Sequence, residues 1–174
     1  MKKTVISFGL SEREIGKAIK ELEQYKKELV RKTALLRKKV ADRIAELAQS
    51  GFNGAVVDDL LKGGVKTAHV DVQVTDSGEV SLVIANGEDA VWVEFGAGVY
   101  HNGSIGSSPH PRGSELGFTI GGYGHGRGKQ QMWKFKNDDG ELVWTHGTPA
   151  SMPMYNAVKT VCNEIATIAR EVWK

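Results

Sequence analysis

Residues 11–51 read SEREIGKAIKELEQYKKELVRKTALLRKKVADRIAELAQSG. Ser11 and Glu14 have the spacing of a capping box, in which each side chain satisfies a free backbone N–H of the other. A stripe then runs through Ile15, Ile19, Leu22, Tyr25, Leu29, Thr33, Leu36, Val40, Ile44 and Leu47. Steps of three and four place it on one helical face. No proline interrupts the run, and Gly51 is a natural stop. The spacing predicts a helix over 11–50, close to 60 Å long at about 1.5 Å per residue. A compact domain of this size has a radius of gyration of about 15–16 Å. The helix outruns what its own domain can cover, so part of the stripe is expected to meet another subunit.

The rest of the chain supplies small elements to pack on that helix. A short helix is expected at 55–61, ended by Gly63-Gly64. "AHVDVQVTD" (68–76) alternates, with Val70, Val72 and Val74 on one face. "GEVSLVIAN" (78–86) places Val80, Leu82 and Ile84 on one face, and a short turn at 76–78 joins the two as a hairpin. "AVWVEFGAG" (90–98) is a helical turn or a third strand. Residues 96–130 form a long glycine-rich insertion, expected to be flexible until something orders it.

"QMWKFKNDDGELVWT" (131–145) reads as a second hairpin. A turn on Asp138-Asp139 sets Trp133 opposite Trp144 and Lys136 opposite Glu141; a turn on Asp139-Gly140 shifts that register. Pro153 opens a C-terminal helix over 153–173. Its apolar seam is Met154, Val158, Val161, Ile165, Ile168 and Val172. The expectation is one α+β domain over 1–174, with a long N-terminal helix and a C-terminal amphipathic helix packed on a small antiparallel β-sheet.

Composition narrows the function classes. Hydrophobic residues make up 40% and charged residues 25% of the 174, ordinary globular usage. No apolar run is long enough to span a membrane, and the N-terminus lacks an apolar signal region, so synthesis in the cytoplasm is expected. Cys162 is the single cysteine, which rules out an intrachain disulfide. Residues 1–50 hold 13 Lys+Arg against 7 Asp+Glu, a net +6; residues 51–174 hold 10 against 14, a net −4. A basic half fits either a solvated helix or a nucleic-acid face.

Catalytic patterns are weak. "GGYGHGRGK" has Tyr123 where a phosphate-binding loop needs its first glycine, and Gln130 where it needs Ser or Thr. His101, His110 and His125, with Glu94 and Glu115, are the candidate metal ligands. No pair has helical i, i+4 spacing or that of a zinc site, and histidines in a flexible loop are ordinarily solvated. Gly-x-Ser-x-Gly is absent. Arg127, Lys129 and Lys134 interleave with Tyr123, Trp133 and Phe135, a pattern that can stack on single-stranded bases. A hairpin with inward aromatics and outward lysines is the plainer reading of the same pattern.

Two segments together carry a resemblance. "VWVEFGAG" (91–98) precedes the glycine-rich insertion, and "THGTPASMPMYNAV" (145–158) follows it and leads into the last helix. This resembles the tail-component family of long-tailed bacteriophages, the tail-completion or head–tail joining proteins of the virion neck. That family has Val-Glu-Phe-Gly-Thr-Gly and later Thr-Arg-Gly-x-Pro-Ala-x-Pro-Phe-Met. Ala97 departs from the usual Thr, His146 from Arg, and Met154-Tyr155 from Phe-Met. The resemblance covers most of the chain, best from Val80 onward.

The resemblance implies a structural virion protein and no enzyme, cofactor or metal. It implies a ring of its own copies, six-fold or possible as a dodecamer. The ring's partners would be the head connector or stopper, the tail tube or tail terminator, and DNA passing through the lumen. Trp92, Glu94, Phe95, Gly96, Gly98, His146, Gly147, Pro149 and Met152 become the candidate subunit or partner interface. Lys26, Arg31 and Lys38 become candidate DNA-facing residues. Trp92, Val93 and Phe95 would anchor on the core. Glu94 would point outward or pair with a basic group such as His146 or an N-terminal Arg; simple exposure on an amphipathic turn remains open. A metal-dependent enzyme and a small nucleic-acid-binding module are the alternatives.

Overall fold

The computed structural model describes residues 6–59, 64–96, 108–113, 115–116, 118, 133–136, 139–145, 148 and 150–174. Helix α1 spans Glu12–Asn53. At its start the Glu14 N–H donates to Ser11 Oγ at 3.4 Å, and Ser11 Oγ donates to Glu14 Oε2 at 2.5 Å. The capping box thus closes through the hydroxyl. The helix does not stop at Gly51. Phe52, with no exposed surface, is drawn into the core and carries the helix one residue further to Asn53, where Gly54 caps it.

Three two-stranded antiparallel ribbons follow among the described residues, in place of one sheet. Strands β1 (Val56–Asp59) and β2 (Gly64–Thr67) pair with each other. A helix was expected there; the β-branched pair Val56-Val57 favours extended backbone instead. Strands β3 (Asp71–Asp76) and β4 (Ser81–Asn86) form the second ribbon. Asp76 pairs with Ser81, so the connection is the four residues 77–80, longer than the turn expected at 76–78. In this register Val72 lies opposite Ala85 and Val74 opposite Val83, on the half-buried face toward α1. Val80, Leu82 and Ile84 are exposed. Alternation says which residues share a face; only the pairing says which face is covered.

Helix α2 spans Ala90–Phe95, which settles the choice between helical turn and strand. Strands β5 (Trp133–Lys136) and β6 (Leu142–Thr145) pair Lys134 with Trp144 and Lys136 with Leu142. Neither expected register holds. Gly140 at φ 78° takes the left-handed conformation that an odd-length loop needs. Lys134 Nζ lies 4.4 Å from the centre of the Trp144 ring.

Helix α3 spans Pro153–Val172 and runs antiparallel to α1. Pro153 packs against Gly51, Glu164 pairs with Arg43 at 3.2 Å, and Glu171 pairs with Lys39 at 3.2 Å. Its inner face is Pro153, Ala157, Val161, Ile168 and Val172. Val158 and Ile165, expected in the seam, are exposed. The core gathers Phe52, Ala55, Ala68, Val70, Ala90 and Val93, with Val72, Ala85 and Met154 packed against it. Beyond the cover of α3, residues 19–31 of α1 are exposed on every side.

Two polar clamps tie the second ribbon to α1. Gln49 donates to the Val70 carbonyl (2.9 Å) and accepts from the Val72 N–H (2.8 Å), copying a neighbouring strand at that edge. Arg37 reaches Ser81 Oγ and the Asp76 carboxylate at the far end. Among the described residues no helix is long and apolar enough to cross a membrane.

Gly51 and Gly16 make a matched test of the α1–α3 contact. A Cβ at Gly51 would sit 2.7 Å from Pro153 Cβ, whereas one at Gly16 meets nothing within 4 Å. Gly51→Ala should lose about 1–3 kcal/mol of stability through overpacking. Gly16→Ala should gain up to about 1 kcal/mol from helix propensity alone. Urea unfolding of both variants measures the contrast. The Asp76 carboxyl is held below its ordinary value of 3.8 by the Gly78 N–H, then by Arg37. A depressed carboxyl contributes stability above its unfolded pKa and loses it as pH falls through the folded value. Asp76→Asn should therefore flatten the decline in stability below about pH 4, read from thermal midpoints across pH.

Candidate functional site

The first turn of α3 has a shortage that its own sequence does not meet. A helix start leaves four N–H groups without intrahelical partners. The residue in the capping position is Met152, which has no side-chain acceptor and sits in the left-handed region at φ 53°, ψ 48°. Pro153 has no N–H to satisfy. The Met152 N–H and that of Ser151 turn back to the Val93 carbonyl, at 3.4 and 2.9 Å. The Asn156 N–H makes the first intrahelical bond, to the Met152 carbonyl. The Met154 and Tyr155 N–H groups remain.

Glu94 takes both. Its Oε2 accepts from the Met154 N–H at 2.8 Å and its Oε1 from the Tyr155 N–H at 2.9 Å. A carboxylate at this end of a helix also gains from the macrodipole. Glu94 is buried because α2 carries it under the start of α3; of the orientations expected, outward or paired with a basic group, the structure has the paired one. Among the described residues its basic partner is His110 and not an N-terminal Arg; His110 is also buried, and its Nε2 lies 3.2 Å from Oε1. His110 Nδ1 accepts from the Arg112 N–H at 3.1 Å, which leaves Nε2 to donate to the carboxylate.

Aromatic rings close over this latch. Phe95 lies 4.4 Å from His110 and stacks on Phe118 at 4.5 Å with 10° between planes. Tyr155 meets His110 edge-on at 5.3 Å, and Trp92 meets Phe118 edge-on at 6.4 Å. Ser108 Oγ donates to the Phe95 carbonyl. Residues 108–113, read from sequence as part of a free loop, are thus pinned to α2 and α3. His110 is a core residue and not a solvated histidine. Gly96 ends α2 at φ 81°, with its N–H on the Trp92 carbonyl at 2.7 Å.

The structure brings Trp92, Glu94, Phe95, Gly96 and Met152 into one cluster, joined by the Glu94 bonds to the start of α3 and the Met152 N–H on the Val93 carbonyl. Gly98, His146, Gly147 and Pro149 lie outside the described residues, as do His101 and His125. Among the described residues no group of three His, Cys, Asp or Glu is placed to hold a metal. Both His110 ring nitrogens are already engaged. Lys26, Arg31 and Lys38 are all exposed on α1. At about 100° per residue, Arg31 and Lys38 share a face; Lys26 stands about 140° round from Arg31, inside the apolar stripe. His110 and the amides of Met154 and Tyr155 are the working groups that sequence reasoning missed. A proline-opened helix with no capping side chain was the available signal.

Compared with known proteins, the chain matches no family model, no curated protein and no solved structure.

Glu94→Ala should strand two buried N–H groups and the imidazole, at a cost of about 2–4 kcal/mol. Glu94→Gln keeps one acceptor oxygen and should lose clearly less. Chemical denaturation of the three proteins measures the order.

Proposed function

We propose that this chain is a structural component of a bacteriophage neck, completing the tail or joining it to the head connector as a ring of its own copies. The observation that carries this reading is the latch. The resemblance rests on two short motifs separated by the glycine-rich insertion. The carboxylate of the first, Glu94, holds the two amides that open the helix of the second, Met154 and Tyr155. The two motifs that carry the resemblance thus form one structural unit, which supports reading them together.

Exposed apolar surface supports an assembly role. Ile15, Ile19, Leu22, Tyr25 and Leu29 line one face of α1, each 39–53% exposed. Val80, Leu82 and Ile84 line the outer face of the β3–β4 ribbon. Contiguous apolar patches of this kind mark contacts with other chains, and repeated head-to-tail contacts close into rings. The head connector or stopper and the tail tube or terminator would be the ring's neighbours, and the protein would then belong to the virion. An enzyme built on the Glu94–His110 pair would need a free ring nitrogen, and both are committed to structure.

Native mass measurement with negative-stain imaging tests this. The purified protein should form a closed ring, six-fold on the family expectation, and Leu22→Glu with Leu29→Glu should return it to monomers of unchanged helicity. A wild-type protein that stays monomeric at its highest soluble concentration contradicts ring formation.

A further inference from the structure

The charges of α1 are sorted by face. At about 100° per residue, Arg13, Lys20, Lys27, Arg31 and Lys38 fall within an arc of roughly 40°. All five are exposed. No Asp or Glu of α1 lies inside the arc; Glu23 and Asp42 flank it. On the rest of the helix Lys32 pairs with Glu28, Arg37 with Asp76, Lys39 with Glu171, and Arg43 with both Glu46 and Glu164. None of the five in the arc forms an ion pair with a described residue. Lys17 borders the arc and Lys26 sits in the apolar stripe. One face of α1 is therefore apolar, one is largely neutralised, and one is a row of bare cations.

From Arg13 to Lys38 the row runs about 37 Å at 1.5 Å per residue. That is close to one turn of B-form DNA, about 34–36 Å. We infer that this row is a nucleic-acid contact that binds duplex DNA through its phosphates, without reading base sequence. The row offers regularly spaced charge and no aromatic anchor, which suits a partner of uniform charge density. Its position argues against a membrane surface. An interfacial helix sets its cations beside its apolar face so that both meet the bilayer together. Here the row lies roughly 160° from the centre of the apolar stripe, so both cannot meet one bilayer. With the stripe buried against a protein neighbour, the row would still face outward. The inference stands on this charge geometry and not on the neck reading.

The test compares two double variants with the same change in net charge. Lys20→Ala with Lys27→Ala removes two members of the row. Lys32→Ala with Lys39→Ala removes two ion-paired lysines from another face. Binding to a mixed-sequence duplex of about 30 base pairs is followed by fluorescence anisotropy from 50 to 200 mM salt. Neutralising Z phosphates gives a slope of log affinity against log salt of about −0.9Z. The wild-type slope should approach −4.5, the row variant should be shallower by about 1.8, and the control should match wild type. Equal loss in both variants, or no DNA binding by wild type at 50 mM salt, overturns the inference. Equal binding to phosphatidylserine vesicles, lost in the same row variant, also overturns it in favour of a membrane. Native mass of the same samples separates the two readings: DNA binding by a monomer removes the ring and keeps this contact, and a ring indifferent to DNA does the reverse.

Discussion

One buried carboxylate organises the C-terminal half of this molecule. The chain begins α3 with Met-Pro, a pair that fixes the helix direction but supplies no cap. The two orphan amides are met only because α2 delivers Glu94 to them. That requirement sets the position of α2, and α2 in turn brings Phe95 against His110 and Phe118. The same helix start is pressed on Gly51 of α1, where no side chain fits. A single polar junction thus joins four stretches that are far apart in sequence. Its energetics are one-sided: each bond adds little over water, but an unmet donor in that place costs far more.

The two long helices were legible because their signals are local. A capping box, an unbroken three-four spacing and a proline-led seam each lie within a few residues of what they predict. What was not legible depended on distant partners. The alternation of 81–86 grouped Leu82 with Ile84 but could not say that Val83 and Ala85 would face α1; the four-residue connection decided that. Gly51 reads as a helix stop, yet its use is close approach to Pro153. Glu94 among apolar residues left an outward and a paired orientation open, because its partners lie 16 and about 60 positions away. The missing cap at Met152 was the one local hint that an acceptor had to arrive from elsewhere.

Helix α1 carries two economies at once. Its C-terminal half serves the fold, through Phe52, Gln49, Arg37 and the ion pairs to α3. Within its N-terminal half residues 19–31 are exposed on every side, and their apolar, paired and bare faces point in different directions. A helix exposed on every side is not stabilised by tertiary packing, and its three distinct faces are the pattern left when partners lie outside the chain.

The central structural claim is that Glu94 caps α3 from across the fold, and hydrogen exchange at the Met154 and Tyr155 amides tests it most directly. In the wild-type protein both should be protected well above the level of an uncapped helix start. In the Glu94→Ala protein both should lose protection while the middle of α3, around Val161, keeps it under conditions where the variant remains folded. Protection at the two amides that is unchanged by the substitution would contradict the account, because their bonds would then have to end on something other than this carboxylate.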